Sequence, residues 1–165
     1  MSGRWQAVED RLITVFATGF GSGYLPLIPG TFGTLVGIPI CLLLSLGGWI
    51  VYVSGTLVLI AAGVWVAGRA DRIFGTHDSG KIVIDEICGF LVTMALVVPG
   101  PLTIGIGFVA FRFFDILKPF PAGYFDRNLT GGWGVMLDDI AAGVYANVTL
   151  HLSVAIIGLV RPGVL

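Results

Sequence analysis

The sequence carries no charged residue between positions 12 and 68, and this uncharged stretch most constrains the fold. Across the whole chain 56% of residues are hydrophobic and 12% are charged, about half the charged share of an ordinary soluble domain. A small domain leaves much of its surface outside, so 165 residues cannot hide this much apolar surface in a core. We therefore predict an integral membrane protein with one domain, residues 1–165, and a polar N-terminal segment at 1–11.

Apolar runs separated by glycine, proline and charge predict an all-α, polytopic membrane fold. We expect about four to five apolar helices, given that a span needs about 20 residues. Their predicted ranges are 32–46, 49–67, 82–98, 102–114 and 136–160. Residues 16–34 are too rich in glycine and proline for a plain spanning helix. We predict a re-entrant or interfacial loop there, packed against protein that satisfies its amides.

Positive charge lies on one side of this predicted topology. Turns at 47–48 and 99–101 place every lysine and arginine except Arg161 on the side of the N-terminus. The positive-inside rule makes that side cytoplasmic. The carboxylates fall on or close to the same face, so we expect any chemistry at the cytoplasmic surface of the membrane.

Charge and cysteine content exclude several other functions. The formal net charge is -1 and the isoelectric point is about 6.0, so nothing indicates a nucleic-acid partner. Cys41 and Cys88 lie in separate apolar stretches without CxxC spacing, and we predict two small buried side chains. The sequence gives no sign of an oligomeric state.

Two pairs of adjacent carboxylates, Asp85-Glu86 and Asp138-Asp139, stand near the starts of predicted helices. Acids at a helix N-terminus interact favourably with the helix dipole, which is the simpler explanation. Adjacent carboxylates also repel each other unless a positive charge lies between them, which favours a shared cation. Two such pairs on one membrane face are typical of the oxygen-rich sites that Mg²⁺ prefers, so we predict a magnesium site.

The segment 111–139 supplies cations beside these acids. Arg112, Asp115 and Lys118 follow one broad helical face, which also suits a simple ladder of ion pairs. Next to a metal held by carboxylates, however, Arg112, Lys118 and Arg127 would form a typical phosphate-binding site. This second interpretation makes the segment half of an active site.

Two further features are weaker candidates. Gly131 and Gly132 lead into the last predicted helix, where free backbone amides can bind an anion. His77 lies on the loop before the first acidic pair. A lone loop histidine is more often a surface residue than a ligand, but at this place it is also a candidate for proton transfer.

Four blocks of the sequence form a specific pattern: GFGSGYLPLIPGTFGT, HDSGKIVIDEICG, FRFFDILKPFPAGYFDR and GGWGVMLDDIAAG. In this order they resemble the bacterial phosphatidylglycerophosphatase A family. The resemblance implies a largely helical, multi-pass enzyme of the bacterial inner membrane. It would hydrolyse the terminal phosphate monoester of phosphatidylglycerophosphate to phosphatidylglycerol and phosphate, with Mg²⁺, in phospholipid biosynthesis.

The chemical properties of these side chains predict their roles in catalysis. Arg112, Lys118 and Arg127 would bind phosphate oxygens, a water would be the nucleophile, and His77 or an unliganded acid would assist proton transfer. A covalent aspartyl-phosphate is the alternative, although the Asp-x-Asp and Cys-x5-Arg patterns of other phosphatases are absent. We expect one or two Mg²⁺ ions, held by Asp85, Glu86, Asp138 and Asp139 together with Asp115 or Asp126.

Two other classes of protein can also carry charged residues in an apolar chain. A small transporter or ion-conducting protein would also carry intramembrane acids, but spread through the membrane and over both faces. A non-catalytic lipid-binding subunit would need the basic residues and would have little use for paired carboxylates. The crowding of both charge types on one face favours the enzyme.

Overall fold

The structure is a computed structural model that describes residues 2–76 and 79–160, and it is built from helices packed around one long central helix. No strand occurs in these residues, so the all-α prediction is confirmed. The helices are α1 Ser2–Ala17, α2 Pro29–Ser45, α3 Gly48–Phe74, α4 Ile84–Thr93, α5 Pro101–Leu117, α6 Ala122–Asn128 and α7 Gly131–Val160, with a 3₁₀ turn at Ser22–Tyr24.

Two helices, α3 and α7, are long and apolar enough to cross a membrane. α2 is a shorter apolar helix. The outward faces of α3 and α7 carry large exposed apolar side chains, as lipid-facing helices do. Examples are Ile50, Val58, Trp65, Val148, Leu152 and Ile156. Length and composition thus agree with a membrane protein.

The third predicted helix, 82–98, is wrong in its extent because α4 ends at Thr93. The chain stops being helical while still packed inside the protein, which requires partners for the freed carbonyls. Asn147 of α7 donates to the carbonyls of Thr93 and Ala95, both at 2.9 Å, and His151 Nε2 lies 3.3 Å from the latter. These side chains allow α4 to be a half-length helix of about 15 Å, too short to span.

The last helix begins at Gly131 rather than at residue 136, so Asp138 lies in the third turn and not at the helix start. The glycines explain the difference. A Cβ on Gly132 would overlap the carbonyl oxygen of Val64 in α3. The glycine run is therefore part of a helix that packs closely on α3, and not the loop that the sequence suggested.

The predicted loop at 16–34 is shorter in the structure. α1 takes in the polar N-terminal segment and runs to Ala17, and α2 already begins at Pro29. Proline suits this first position of a helix because its missing N–H would be unpaired there in any case. The residues between the two helices contain the 3₁₀ turn and exposed apolar side chains, including Leu27.

The central helix α7 packs against α3, α4, α5 and α6. Its contact with α4 depends on two glycines. A Cβ on Gly143 would overlap the carbonyl oxygen of Gly89, and a Cβ on Gly89 would come 2.7 Å from the carbonyl oxygen of Asp139. Small residues of this kind let helix backbones approach closely inside a membrane protein. The glycine contact brings the acidic start of α4 against the acidic part of α7.

We predict that Gly143→Ala destabilises the protein, because the added methyl group must push α4 away from α7. Overpacking of this kind costs about 1–3 kcal/mol in the free energy of unfolding. Thermal unfolding in detergent measures it. Gly105→Ala in α5 is the matched control, since nothing lies within 4 Å of a Cβ at that helical position. Equal melting temperatures for the two variants would show that the close contact is not needed.

Candidate active site

Three carboxylates meet where α4 packs on α7. Asp85 and Glu86 come from the first turn of α4 and Asp139 from the third turn of α7, and their ligand atoms lie within 4.8 Å of one another. Asp85 and Asp139 are only 8% and 3% exposed. We call these three residues the carboxylate trio.

Each residue of the trio has one buried oxygen that the described residues leave without a hydrogen-bond donor. Within the described part of the chain, Asp85 Oδ1, Glu86 Oε2 and Asp139 Oδ2 are buried without a hydrogen-bond partner. Buried carboxylates are expensive unless they are paired, and neighbouring ones repel each other. Carboxylate oxygens are the ligands that a hard divalent cation takes. The trio therefore fits a site for an ion such as Mg²⁺.

Arg112 of α5 lies beside the trio. Its Nη1 is 2.6 Å from Asp115 Oδ2 and 4.0 Å from Glu86 Oε1, so one guanidinium is shared between two carboxylates. The Nε of Arg112 is buried and has no hydrogen-bond partner in the residues that the structure describes. That N–H is available to an anionic ligand placed next to the trio.

Lys118, directly after α5, binds two other carboxylates. Its Nζ donates to Asp126 Oδ1 at 2.5 Å and to Asp138 Oδ2 at 2.8 Å. Partial burial alone would lower the pKa of the ammonium, but the hydrogen bonds to Asp126 and Asp138 outweigh it and raise the pKa above its ordinary value. Lys118 thus joins α6 and α7 as a charged bridge.

Gly30, in the first turn of α2, is a site residue that the sequence analysis did not single out. A Cβ at this position would overlap Glu86 Oε1 and come 2.9 Å from Arg112 Nη1. The missing side chain lets the N-terminal end of α2, with its partial positive charge, lie against the site. The Pro-Gly pair at the start of an apolar run was the available signal.

The structure does not gather every candidate residue at the trio. Arg127 is exposed on α6 and, within the described part of the chain, makes no ion pair with the carboxylates. Gly131 and Gly132 line an open groove with Arg72, roughly 10 Å along α7 from the acids at about 1.5 Å per residue. His77 lies outside the described residues.

The sequence matches the family model of Phosphatidylglycerophosphatase A over residues 15–154, a range that includes the whole site. It is 43% identical to the Phosphatidylglycerophosphatase A of Escherichia coli (strain K12) over 131 residues, 79% of this chain and 76% of that protein. The chain belongs to the phosphatidylglycerophosphatase A family. The Haemophilus influenzae protein of the same name is 42% identical over 136 residues, 81% of this chain and 83% of that protein.

Family membership identifies the chain as a phosphatase. A Bacteroides thetaiotaomicron protein, provisionally named a phosphatidylinositol-3-phosphatase, is 34% identical over 156 residues, 89% of this chain and 96% of that protein. Relatives therefore carry the names of two lipid phosphatases. No solved structure matches the chain.

We predict that Gly30→Ala lowers phosphatase activity on the order of 10²-fold, because the methyl group displaces Glu86 and Arg112 from each other. Phosphate release measures the rate. Gly80→Ala is the control, since a Cβ there meets nothing within 4 Å and Gly80 lies on the loop before α4. A wild-type rate for Gly30→Ala would mean that turnover does not depend on this arrangement.

Proposed function

We propose that the chain hydrolyses the terminal phosphate monoester of phosphatidylglycerophosphate, giving phosphatidylglycerol and phosphate, with Mg²⁺ as cofactor. The observation that carries the proposal is the trio beside the Arg112 guanidinium. In the described part of the chain each residue of the trio has one buried oxygen without a hydrogen-bond donor, and the buried Nε of Arg112 has no acceptor. Metal ligands and an anion-binding cation side by side suit the metal-assisted hydrolysis of a phosphate ester. The names of two close relatives supply the substrate.

Asp85, Glu86 and Asp139 would hold the ion, since each offers one carboxylate oxygen to a common point. When bound, Mg²⁺ supplies Lewis acidity toward the phosphate oxygens. Asp115, Asp126 and Asp138 are engaged with Arg112 or Lys118 instead. In this proposal they position the two cations and do not ligate the metal directly.

The cations of the site would bind and orient the phosphate. Arg112 Nε can donate to one phosphate oxygen while Nη1 keeps its ion pair with Asp115. Charge-assisted bonds of this kind are shorter and stronger than neutral ones. The N-terminal end of α2 at Gly30 adds backbone dipoles that favour the same anion. Arg127, exposed on α6, would act at most on the outer part of the headgroup.

A water molecule is the proposed nucleophile, and a carboxylate of the site would accept its proton. His77 stays a second candidate for that proton transfer. A covalent aspartyl-phosphate is the alternative route, and it would require one carboxylate of the site to attack phosphorus. Trapping with hydroxylamine distinguishes the two, because only an acyl phosphate reacts with it.

We further propose a multi-pass protein of the bacterial inner membrane whose active site faces the cytoplasm. The distribution of charge supports this proposal. The segments 46–68 and 87–111 contain the two chain reversals at the end of the helices opposite the site. Among the described residues, neither segment contains an Asp, Glu, Lys or Arg. The positive-inside rule then orients the charged end. An ion conduit would need such residues along its whole length, so this arrangement also disfavours a transporter.

We predict that purified protein in detergent releases phosphate from phosphatidylglycerophosphate with Mg²⁺ and not with EDTA. Asp139→Asn should slow release by 10²-fold or more, in the range that the loss of one electrostatic contact costs. Asp10→Asn is the matched control. That carboxylate lies on α1, is half exposed, and makes only a long ion pair of 4.0 Å with Arg69. It should keep the wild-type rate.

The same assay tests the substrate. Phosphatidylinositol 3-phosphate is the competing lipid, since a relative carries that activity in its name. We expect a higher kcat/KM for phosphatidylglycerophosphate. Faster hydrolysis of the inositol lipid would reassign the substrate, and release that is unaffected by EDTA would remove the metal from the mechanism.

A further inference from the structure

The ion pairs of Lys118 bear on how many metal ions the site takes. Asp126 of α6 and Asp138 of α7 lie outside the carboxylate trio, and we call these two residues the bridged pair. Lys118 Nζ lies 2.5 Å from Asp126 Oδ1 and 2.8 Å from Asp138 Oδ2. A single ammonium thus bridges two carboxylates from two helices, as a divalent ion does in a metal site.

We propose that the Lys118 ammonium takes the place of a second metal ion, so that the protein binds one divalent ion, on the trio, and not two. The inference rests on the proposed function, in which the trio holds that ion. Two-metal phosphatase sites place their ions about 3.5–4 Å apart. Asp138 and Asp139 are consecutive residues of α7, so the bridged pair and the trio adjoin each other like the two halves of such a site.

Charge alone does not decide between one ion and two. The carboxylates around the site outnumber Arg112 and Lys118, so their negative charge could balance either one or two metal ions. The position of the ammonium decides. A second ion bridging Asp126 and Asp138 would have to displace Lys118 from both hydrogen bonds, whereas the trio is open to an ion without any displacement.

The backbone at Lys118 has an unusual conformation. Lys118 ends α5 in the left-handed conformation, with φ 45°, which a non-glycine residue adopts at a conformational cost. Glycine is the usual residue at such a helix end. The α6 helix packs on the Lys118 carbonyl, since a Cβ on Gly123 would come 2.6 Å from that oxygen. The ion pairs of Lys118 with Asp126 and Asp138 set a favourable interaction against this conformational cost.

The experiment counts metal ions on the full-length protein in detergent. The protein is stripped with EDTA, titrated with Mn²⁺ as a paramagnetic stand-in for Mg²⁺, and the bound metal is measured by mass spectrometry. We expect one Mn²⁺ per wild-type chain. Lys118→Gly suits the left-handed backbone and removes the ammonium, so we expect it to bind two, with the spin coupling of adjacent ions in the electron paramagnetic resonance spectrum.

Two matched variants control the count. Lys118→Arg keeps a positive charge between Asp126 and Asp138 and should still bind one ion. Lys81→Met removes a lysine whose Nζ lies 5.7 Å from the centre of the Tyr24 ring, and this variant should also bind one ion. Circular dichroism checks that each variant is folded.

The outcomes separate the inference from the function on which it rests. Two Mn²⁺ on a wild-type chain that hydrolyses the lipid would overturn the inference and leave the proposed function standing. One ion on folded Lys118→Gly would also overturn it. If Lys118→Gly does not fold, the wild-type count still decides. No ion on a wild-type chain that releases phosphate would overturn both the inference and the metal dependence.

Discussion

The structure depends on how an apolar chain buries carboxylates. Asp85, Asp138 and Asp139 are almost completely buried between α4 and α7. An ionised carboxylate in such surroundings is costly unless a cation or several donors accompany it. Two of the neighbouring acids share Lys118, and Asp115 pairs with Arg112. Each residue of the trio has a buried oxygen without a hydrogen-bond donor in the described residues, and the trio's need for a cation is the basis of the proposed chemistry.

Close helix contacts hold these acids together, and glycine makes each contact possible. Gly89 and Gly143 set the distance between α4 and α7, Gly132 lets α7 lie on α3, and Gly30 brings α2 against Glu86. Van der Waals packing of this sort is what holds helices together where no water drives them to associate. Packing and chemistry are linked most directly at Gly30, where a larger residue would push against Glu86 and Arg112.

Hydropathy and charge were enough to predict the helical class, the membrane character and most of the charged residues that meet at one end. They failed where a glycine or a polar side chain changed a helix end. The glycines before Asp138 were predicted to form a loop. In the structure they let α7 pack on Val64 of α3, a contact that the local sequence does not reveal because Val64 is far away in the chain. The early end of α4 depends on Asn147 in the same way. Which acids face each other, and which are held by Lys118, likewise follows only from the packing of α4, α6 and α7.

In the proposed mechanism the trio binds the catalytic metal. Diffraction from crystals grown with Mn²⁺, recorded at the manganese absorption edge, tests it most directly. We expect an anomalous peak bonded to carboxylate oxygens of Asp85, Glu86 and Asp139. The crystals must contain protein that is active with Mn²⁺. If such crystals show no peak at the trio, or a peak bonded to other residues, the trio does not bind the catalytic metal.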